Sequence, residues 1–228
     1  MSGEGCGEPG GSPCSQEEGG CAGETWFPPR ERDRVERPHS PDTVLAVGLL
    51  AGWKHCPRCR ADLEGDTARL TCPSCGSSYY AQSVPAVSAI VVDGEGRVLL
   101  ARRAFEPDAG LWDTPGGFLE EGEEPGEGLR RELREETGLD VEPGSFLGTY
   151  LDTYGEGPTA ACVLNLVYEA RVISGEMQHA DDVSELRWFA PDELPSDDEY
   201  AFRWVAPFMH RWAETHRHDN GKAPKGRV

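Results

Sequence analysis

Residues 116–139 read GGFLEEGEEPGEGLRRELREETGL, a stretch that few folded arrangements can accommodate. Pro125 suits a first helical turn, where its missing N–H is no loss, and Gly138 suits the left-handed residue that follows a last turn. Leu129 and Leu133 lie four apart and supply the stripe that such a helix buries. Glu132, Glu135 and Glu136 then stand at i, i+3 and i+4, on one face. Three carboxylates this close raise one another's pKa and weaken the helix unless a cation sits among them. Gly126 and Gly128 each cost up to ~1 kcal/mol against Ala, so the first turn is expected to be loose and the glutamates to sit on the firmer half. The segment asks for a packed helix with a cation at its acidic face, the plainer alternative being a solvated face that tolerates its like charges.

A second constraint lies upstream. Cys56, Cys59, Cys72 and Cys75 form two knuckles, CPRC and CPSC, with twelve residues between them. Each Cys-x-x-Cys turn aims two thiolates at one centre, and four thiolates close a tetrahedral site. Zinc fits this set, and iron in a rubredoxin-like site fits the same spacing. With all four positions thiolate, no place is left for water, so the ion is expected to be structural. Cys6, Cys14 and Cys21 lack ligand spacing and Cys162 lies in an apolar strand, so none of them is expected to bind metal.

Composition narrows the partners. The formal charge is −19, from 22 basic and 41 acidic residues, which argues against gripping a nucleic-acid backbone. Residues 1–40 are rich in Gly, Pro, Ser and Glu and are expected to form a disordered tail. The first residues lack the basic start and apolar core of a secretory signal. The apolar run VLAVGLLAGW reaches about half of the ~20 residues that span a bilayer, so a soluble, cytoplasmic protein without a membrane partner is expected.

Along the chain, residues 41–52 read as an apolar connecting element and residues 53–80 as a zinc ribbon, with Leu63 and Leu70 as anchors and a turn at Gly65-Asp66. VPAVSAIVVD and RVLLARR, joined by Gly94-Glu95-Gly96, read as a β-hairpin. Strands are expected at 145–151, 160–173 and 184–189, and a closing helix at 204–216 with Val205, Phe208, Met209 and Trp212 on one face. Residues 217–228 read as a flexible tail. The order gives an α/β fold, a mixed sheet with helices on its faces over residues 81–216.

With its spacing fixed, the opening segment is Gly117, Glu123, Arg131-Glu132-Leu133, Glu135-Glu136 and Gly138-Leu139. This resembles the Nudix box of the Nudix hydrolase superfamily at all nine of its defining positions. The ribbon, LLARR, GLWDTPGGF and RWFAPDELP extend the resemblance to the zinc-ribbon branch, over about residues 53–213. The resemblance implies a Nudix-type mixed sheet sandwiched by helices behind a small four-cysteine zinc ribbon. It also implies a Mg2+- or Mn2+-dependent pyrophosphohydrolase, and Nudix relatives are often homodimers. Glu132, Glu135, Glu136 and the Gly116 carbonyl are the implied metal ligands, with Arg131 paired to Glu123 to fix them. Such hard cations take oxygen ligands and leave room for substrate phosphates.

Outside the box the resemblance points to a general base before the last strand, where HADDVSELRWF offers Asp181, Asp182 and Glu185. Asp182 or Glu185 could equally be a further metal ligand, or a solvated loop charge. Arg102 and Arg103 are candidates to meet phosphate, since a guanidinium pairs with it bidentately, although strand-end arginines also serve as edge charges. Trp112, Phe118, Tyr150 and Tyr154 are candidates to stack on a base, with burial in the core as the other reading.

NADH pyrophosphatases carry an SQPWPFP-like segment downstream of the box, whereas this chain has GTYLDTYGEGPTAACVLNL. An ADP-ribose-like or other nucleoside-diphosphate substrate therefore moves ahead of NADH, with a dinucleotide such as FAD also within the class that the resemblance implies. The rival class is a nucleotide-sensing or binding module without turnover. Against it stand a complete set of box carboxylates and a ribbon whose Lys54, Arg58, Arg60 and Arg69 are nearly matched by Asp62, Glu64 and Asp66.

Overall fold

The structure, a computed structural model, describes residues 49–155 and 160–219. The expected tail at 1–40, the start of the connecting element and residues 220–228 lie outside the described residues. The ribbon is a three-stranded antiparallel sheet of β1 (Glu64–Gly65), β2 (Arg69–Thr71) and β3 (Ser78–Tyr80). Its first turn forms where Gly65-Asp66 predicted, because Asp66 Oδ1 accepts from the backbone N–H of Ala68 and Arg69 at 2.9 and 3.0 Å. Leu70 is buried there and Leu63 half-buried.

The main body has two three-stranded sheets. One is ordered β4 (Val84–Val91), β8 (Ala161–Gly175) and β7 (Leu139–Tyr154), with β4 parallel to β8 and β7 antiparallel to it. The other is ordered β6 (Trp112–Asp113), β5 (Val98–Arg103) and β9 (Val183–Phe189), all antiparallel. The helices are α1 (Pro125–Thr137) and α2 (Val205–Asp219).

Alternation along β4 and β5 decides what the helices cover. Val87, Ala89 and Val91 of β4 and Leu99 of β5 pack with Leu129 and Leu133 of α1. Ile90 of β4 and Val98 and Leu100 of β5 pack with Val205, Met209 and Trp212 of α2. Both strands are apolar on two faces because each face carries a helix, which is the expected sandwich. Fully burying one such leucine contributes about 1.5–3 kcal/mol.

Three expectations are corrected. The turn at Asp93–Arg97 forms, with Asp93 and Arg97 bonded, but β4 and β5 enter different sheets and share only the Val92–Val98 bridge, so they are not a hairpin. Apolar alternation cannot tell two paired strands from two strands that diverge after a turn. β7 begins six residues before 145, because register shifts around Pro143 and Phe146 let it bend and keep its pairing with β8. α2 continues past 216 to Asp219, where a tail was expected to have begun. No helix among the described residues is long and apolar enough to cross a membrane.

Candidate active site

α1 opens at Pro125 and closes at Gly138, whose φ of 71° and N–H bond to the Arg134 carbonyl match the helix end read from sequence. Leu129 and Leu133 fix its rotation by burying completely. Glu132 and Glu136 are carried inward beside that stripe. Glu136 is buried and its Oε2 accepts from the Gly116 N–H at 2.9 Å. Burial pushes the Glu136 carboxyl well above the usual range, and Asp182, Glu132 and Asp113 push the same way against that single N–H. Burial also raises Glu132, outweighing Arg131.

Arg131 gathers the surrounding carboxylates. Its Nε and Nη2 donate to both oxygens of Glu123 at 2.9 and 2.8 Å. Its Nη1 donates to Glu132 at 2.8 Å and to Glu135 at 3.2 Å, and Nη2 also reaches the Phe118 carbonyl. This bidentate grip pulls Glu123 down to about 2. Gly117 lets the strand-to-helix loop lie against the cluster, because a Cβ there would stand 2.5 Å from the Glu132 carboxyl carbon.

A cavity of about 200 Å³ opens beside these glutamates. Its floor is one face of the β4–β8–β7 sheet, through Ala86, Ser88, Val163, Asn165, Asp152 and Tyr154. Arg103 and Asp113 line it from the second sheet, and Gly116, Phe118, Asp181, Asp182 and Phe202 from loops. Arg103 is held by the Pro107 carbonyl at 2.9 Å, with its guanidinium 5.5 Å from the ring centres of both Tyr154 and Phe202. It is the one basic group among the described lining residues, against six carboxylates. Burial pushes the Asp113 carboxyl up to about 7, with Arg103 opposing.

In the ribbon the four cysteine sulfurs lie within 4.8 Å of one another, with Cys56 to Cys75 at 3.7 Å and Cys59 to Cys72 at 3.4 Å. A tetrahedron with metal–sulfur bonds of about 2.3 Å needs sulfurs about 3.8 Å apart, so the set fits zinc. The knuckles close alike: the N–H of Arg60 bonds to the Cys56 carbonyl and that of Gly76 to the Cys72 carbonyl, both at positive φ.

The NUDIX domain profile matches residues 82–212. The chain belongs to the Nudix family. It is 28% identical over 167 residues to the NAD-capped RNA hydrolase NudC of Stutzerimonas stutzeri, covering 68% of this chain and 57% of that protein. It is 36% identical over 111 residues to the ADP-ribose pyrophosphatase of Methanocaldococcus jannaschii, covering 47% of this chain and 64% of that protein. The chain thus spans less than two thirds of the length of these relatives. A crystal structure of a NUDIX hydrolase from Nitrosomonas europaea superposes with a TM-score of 0.61 at 26% identity, over 73% of this chain and 94% of that one.

Of the residues singled out from the Nudix resemblance, Gly116, Glu132, Glu136, Asp181, Asp182, Arg103, Phe118 and Tyr154 share the cavity. Glu135 does not line it: half exposed, it sits on Arg131. Arg102 and Glu185 lie elsewhere. They oppose each other across the β5–β9 ladder and pair at 3.3 Å, and Arg102 also donates to the Gly110 carbonyl, so neither lines the cavity. Strand alternation sends neighbours to opposite faces, which is why Arg102 and Arg103 part. Trp112 is likewise core, buried and edge-on to Phe189 at 5.0 Å, and Tyr150 stacks on Trp204. Sequence reasoning missed Ser88, Asn165, Asp113, Asp152 and Phe202. Polar residues at inward positions of apolar strands, Ser88 in AVSAIV and Asn165 in VLNLV, were the available signal.

Proposed function

We propose that the chain is a divalent-metal-dependent Nudix pyrophosphohydrolase that cleaves the diphosphate joining a nucleoside to a second moiety, an ADP-ribose-like compound or a dinucleotide such as FAD, with NADH behind them. The observation that carries this reading is the convergence of Glu132, Glu136 and Asp182 on one cavity facing Arg103. Glu132, Glu136 and the Gly116 carbonyl are the groups that would hold Mg2+ or Mn2+, since hard cations take oxygen donors and these three residues line one cavity. A bound divalent ion neutralises phosphoryl oxygens and makes its water acidic enough to attack phosphorus.

The chain's own residues do the rest. Arg131, locked by Glu123, holds Glu132 in place. The Gly116 N–H orients Glu136. Asp182, whose charge is felt by both glutamates, is the candidate to take the proton of the attacking water. Arg103 offers a guanidinium to a phosphate, its orientation set by Pro107 and the two rings. The acidic balance of the whole chain favours a small nucleotide substrate over a long polyanion.

Replacing Glu136 by Gln keeps size and removes one candidate ligand. Hydrolysis of a panel of nucleoside diphosphate derivatives, including an NAD-capped RNA, is followed with and without Mg2+. The variant is expected to lose turnover by at least ~100-fold while melting no lower than the parent. A parent that binds these nucleotides and hydrolyses none in Mg2+ or Mn2+ is a sensor, and the proposal then fails.

A further inference from the structure

The floor of the cavity carries a feature that metal holding does not use. β4 and β8 are parallel neighbours, with Ala86 opposite Asn165 and Ser88 opposite Val167. On this face Ile90 and Val167 continue into the apolar core against α2. Two polar side chains interrupt it, Asn165 at 9% exposure and Ser88 at 6%. Neither has a hydrogen-bond partner among the described residues. Interior amides and hydroxyls are almost always paired, because leaving them unpaired out of water is unfavourable. Both line the cavity and their polar atoms open onto it, so their hydrogen bonds are free for water or for what fills the cavity.

Their chemistry indicates the occupant. An asparagine amide presents a donor and an acceptor side by side, the pattern that matches the edge of a nucleobase. Asp113 adds a carboxylate to the same cavity. Its Oδ1 accepts from the Thr114 N–H at 2.7 Å, and among the described residues nothing bonds to Oδ2. Phe118 stands edge-on to Tyr154 at 5.3 Å, and Phe202 lies stacked against Tyr154 at 6.4 Å, which supplies flat apolar walls for a ring.

We propose that Asn165 and Asp113 form a base-reading subsite, taking the hydrogen-bonding edge of a planar heterocycle and so setting which nucleoside the enzyme accepts. The assignment rests on the diphosphate lying at the glutamates, as in the proposed function. Ser88 completes the polar floor, and Asn165 is the residue that discriminates.

Calorimetry in Mg2+ compares AMP, GMP, CMP and UMP with ribose 5-phosphate, which carries no base. The parent is expected to bind at least one nucleotide ~10-fold or more tighter than ribose 5-phosphate. Asn165→Leu, of similar size, should bring that nucleotide close to ribose 5-phosphate while melting close to the parent, since the amide has no protein partner to lose. Asn165→Asp keeps the shape and an acceptor without the donor, and should reorder the preference among the four bases. Ribose 5-phosphate binding as tightly as every nucleotide, or variants that keep the parent's order of preference, would overturn the subsite. Hydrolysis is followed on the same proteins. Base discrimination without turnover sinks the hydrolase reading and leaves the subsite standing, and turnover without base discrimination does the reverse.

Discussion

Asp113 shows how much chemistry a single carboxyl acquires from its position. It faces Arg103, Asp152 and Glu136, and burial is the largest influence on it, lifting it from an ordinary 3.8 to about 7. The folded protein therefore holds this proton more tightly than the unfolded chain does. Asp113 contributes most below about pH 4, and its contribution drains away as pH rises toward 7. Asp113→Asn removes the titration. In Mg2+-free buffer the variant should match the parent near pH 3.5 and exceed it by on the order of 2–4 kcal/mol at pH 7.5, the lower end following from the part of its surface that meets the open cavity. Urea unfolding at the two pH values checks this, and equal gaps at both would show that Asp113 ionises without penalty. Glu136 titrates in the same direction, so a residual fall should remain in the variant.

At the scale of elements, the helix was the most legible part, because its signals were local: Pro125, the Leu129 and Leu133 stripe and Gly138. Its two early glycines were read alike as weak points, and they differ. A Cβ on Gly126 would meet nothing closer than 3.8 Å, whereas one on Gly128 would stand 2.4 Å from Leu119 Cδ2 and 2.9 Å from Glu123 Oε2. Gly126→Ala should therefore stabilise by about 0.5–1 kcal/mol, as helix propensity alone dictates. Gly128→Ala should lose that gain to crowding and shift Glu123, and with it Arg131, so that turnover falls. Thermal melts and a hydrolysis assay on the pair decide it, and two variants of equal stability would contradict the packing account. The cysteine spacing was legible for the same local reason. Cys59→Ser should leave the protein with less than one zinc per chain and unfold the ribbon, because binding and folding are linked there. The core melting transition should persist, and elemental analysis with melting measures both. What could not be read was whatever depends on how strands meet across the fold. The divergence of β4 from β5, the parting of Arg102 from Arg103, and the burial of Trp112 follow from pairing between segments far apart in sequence. Asn165 and Ser88 looked like minor blemishes in apolar strands until the sheet placed them on one floor.

For the whole molecule, charge sets the terms on which the fold and the site coexist. At −19 the chain repels itself, and the cavity concentrates that repulsion in six carboxylates against one guanidinium among the described lining residues. Any salt should relieve the general repulsion by screening, over a range of about 10 Å at 0.1 M. A divalent ion seated at Glu132 and Glu136 should do more, because it binds the folded form alone and so adds about 2.7 kcal/mol at a hundred times its dissociation constant. The two effects separate when Mg2+ is compared with NaCl at equal ionic strength. The parent should gain a Mg2+-specific increment in its urea midpoint at pH 7.5. Glu136→Gln should gain the screening part and little else. As pH falls the parent's specific increment should shrink too, since burial favours the protonated Glu136 carboxyl and a metal must displace that proton. If the ribbon alone took up the ion, Glu136→Gln would keep the full increment, and Cys59→Ser would lose it. If Mg2+ and NaCl gave the same midpoint for the parent at pH 7.5, the acidic face of α1 would be a solvated surface after all, and its glutamates would owe their place to Arg131 and not to a metal.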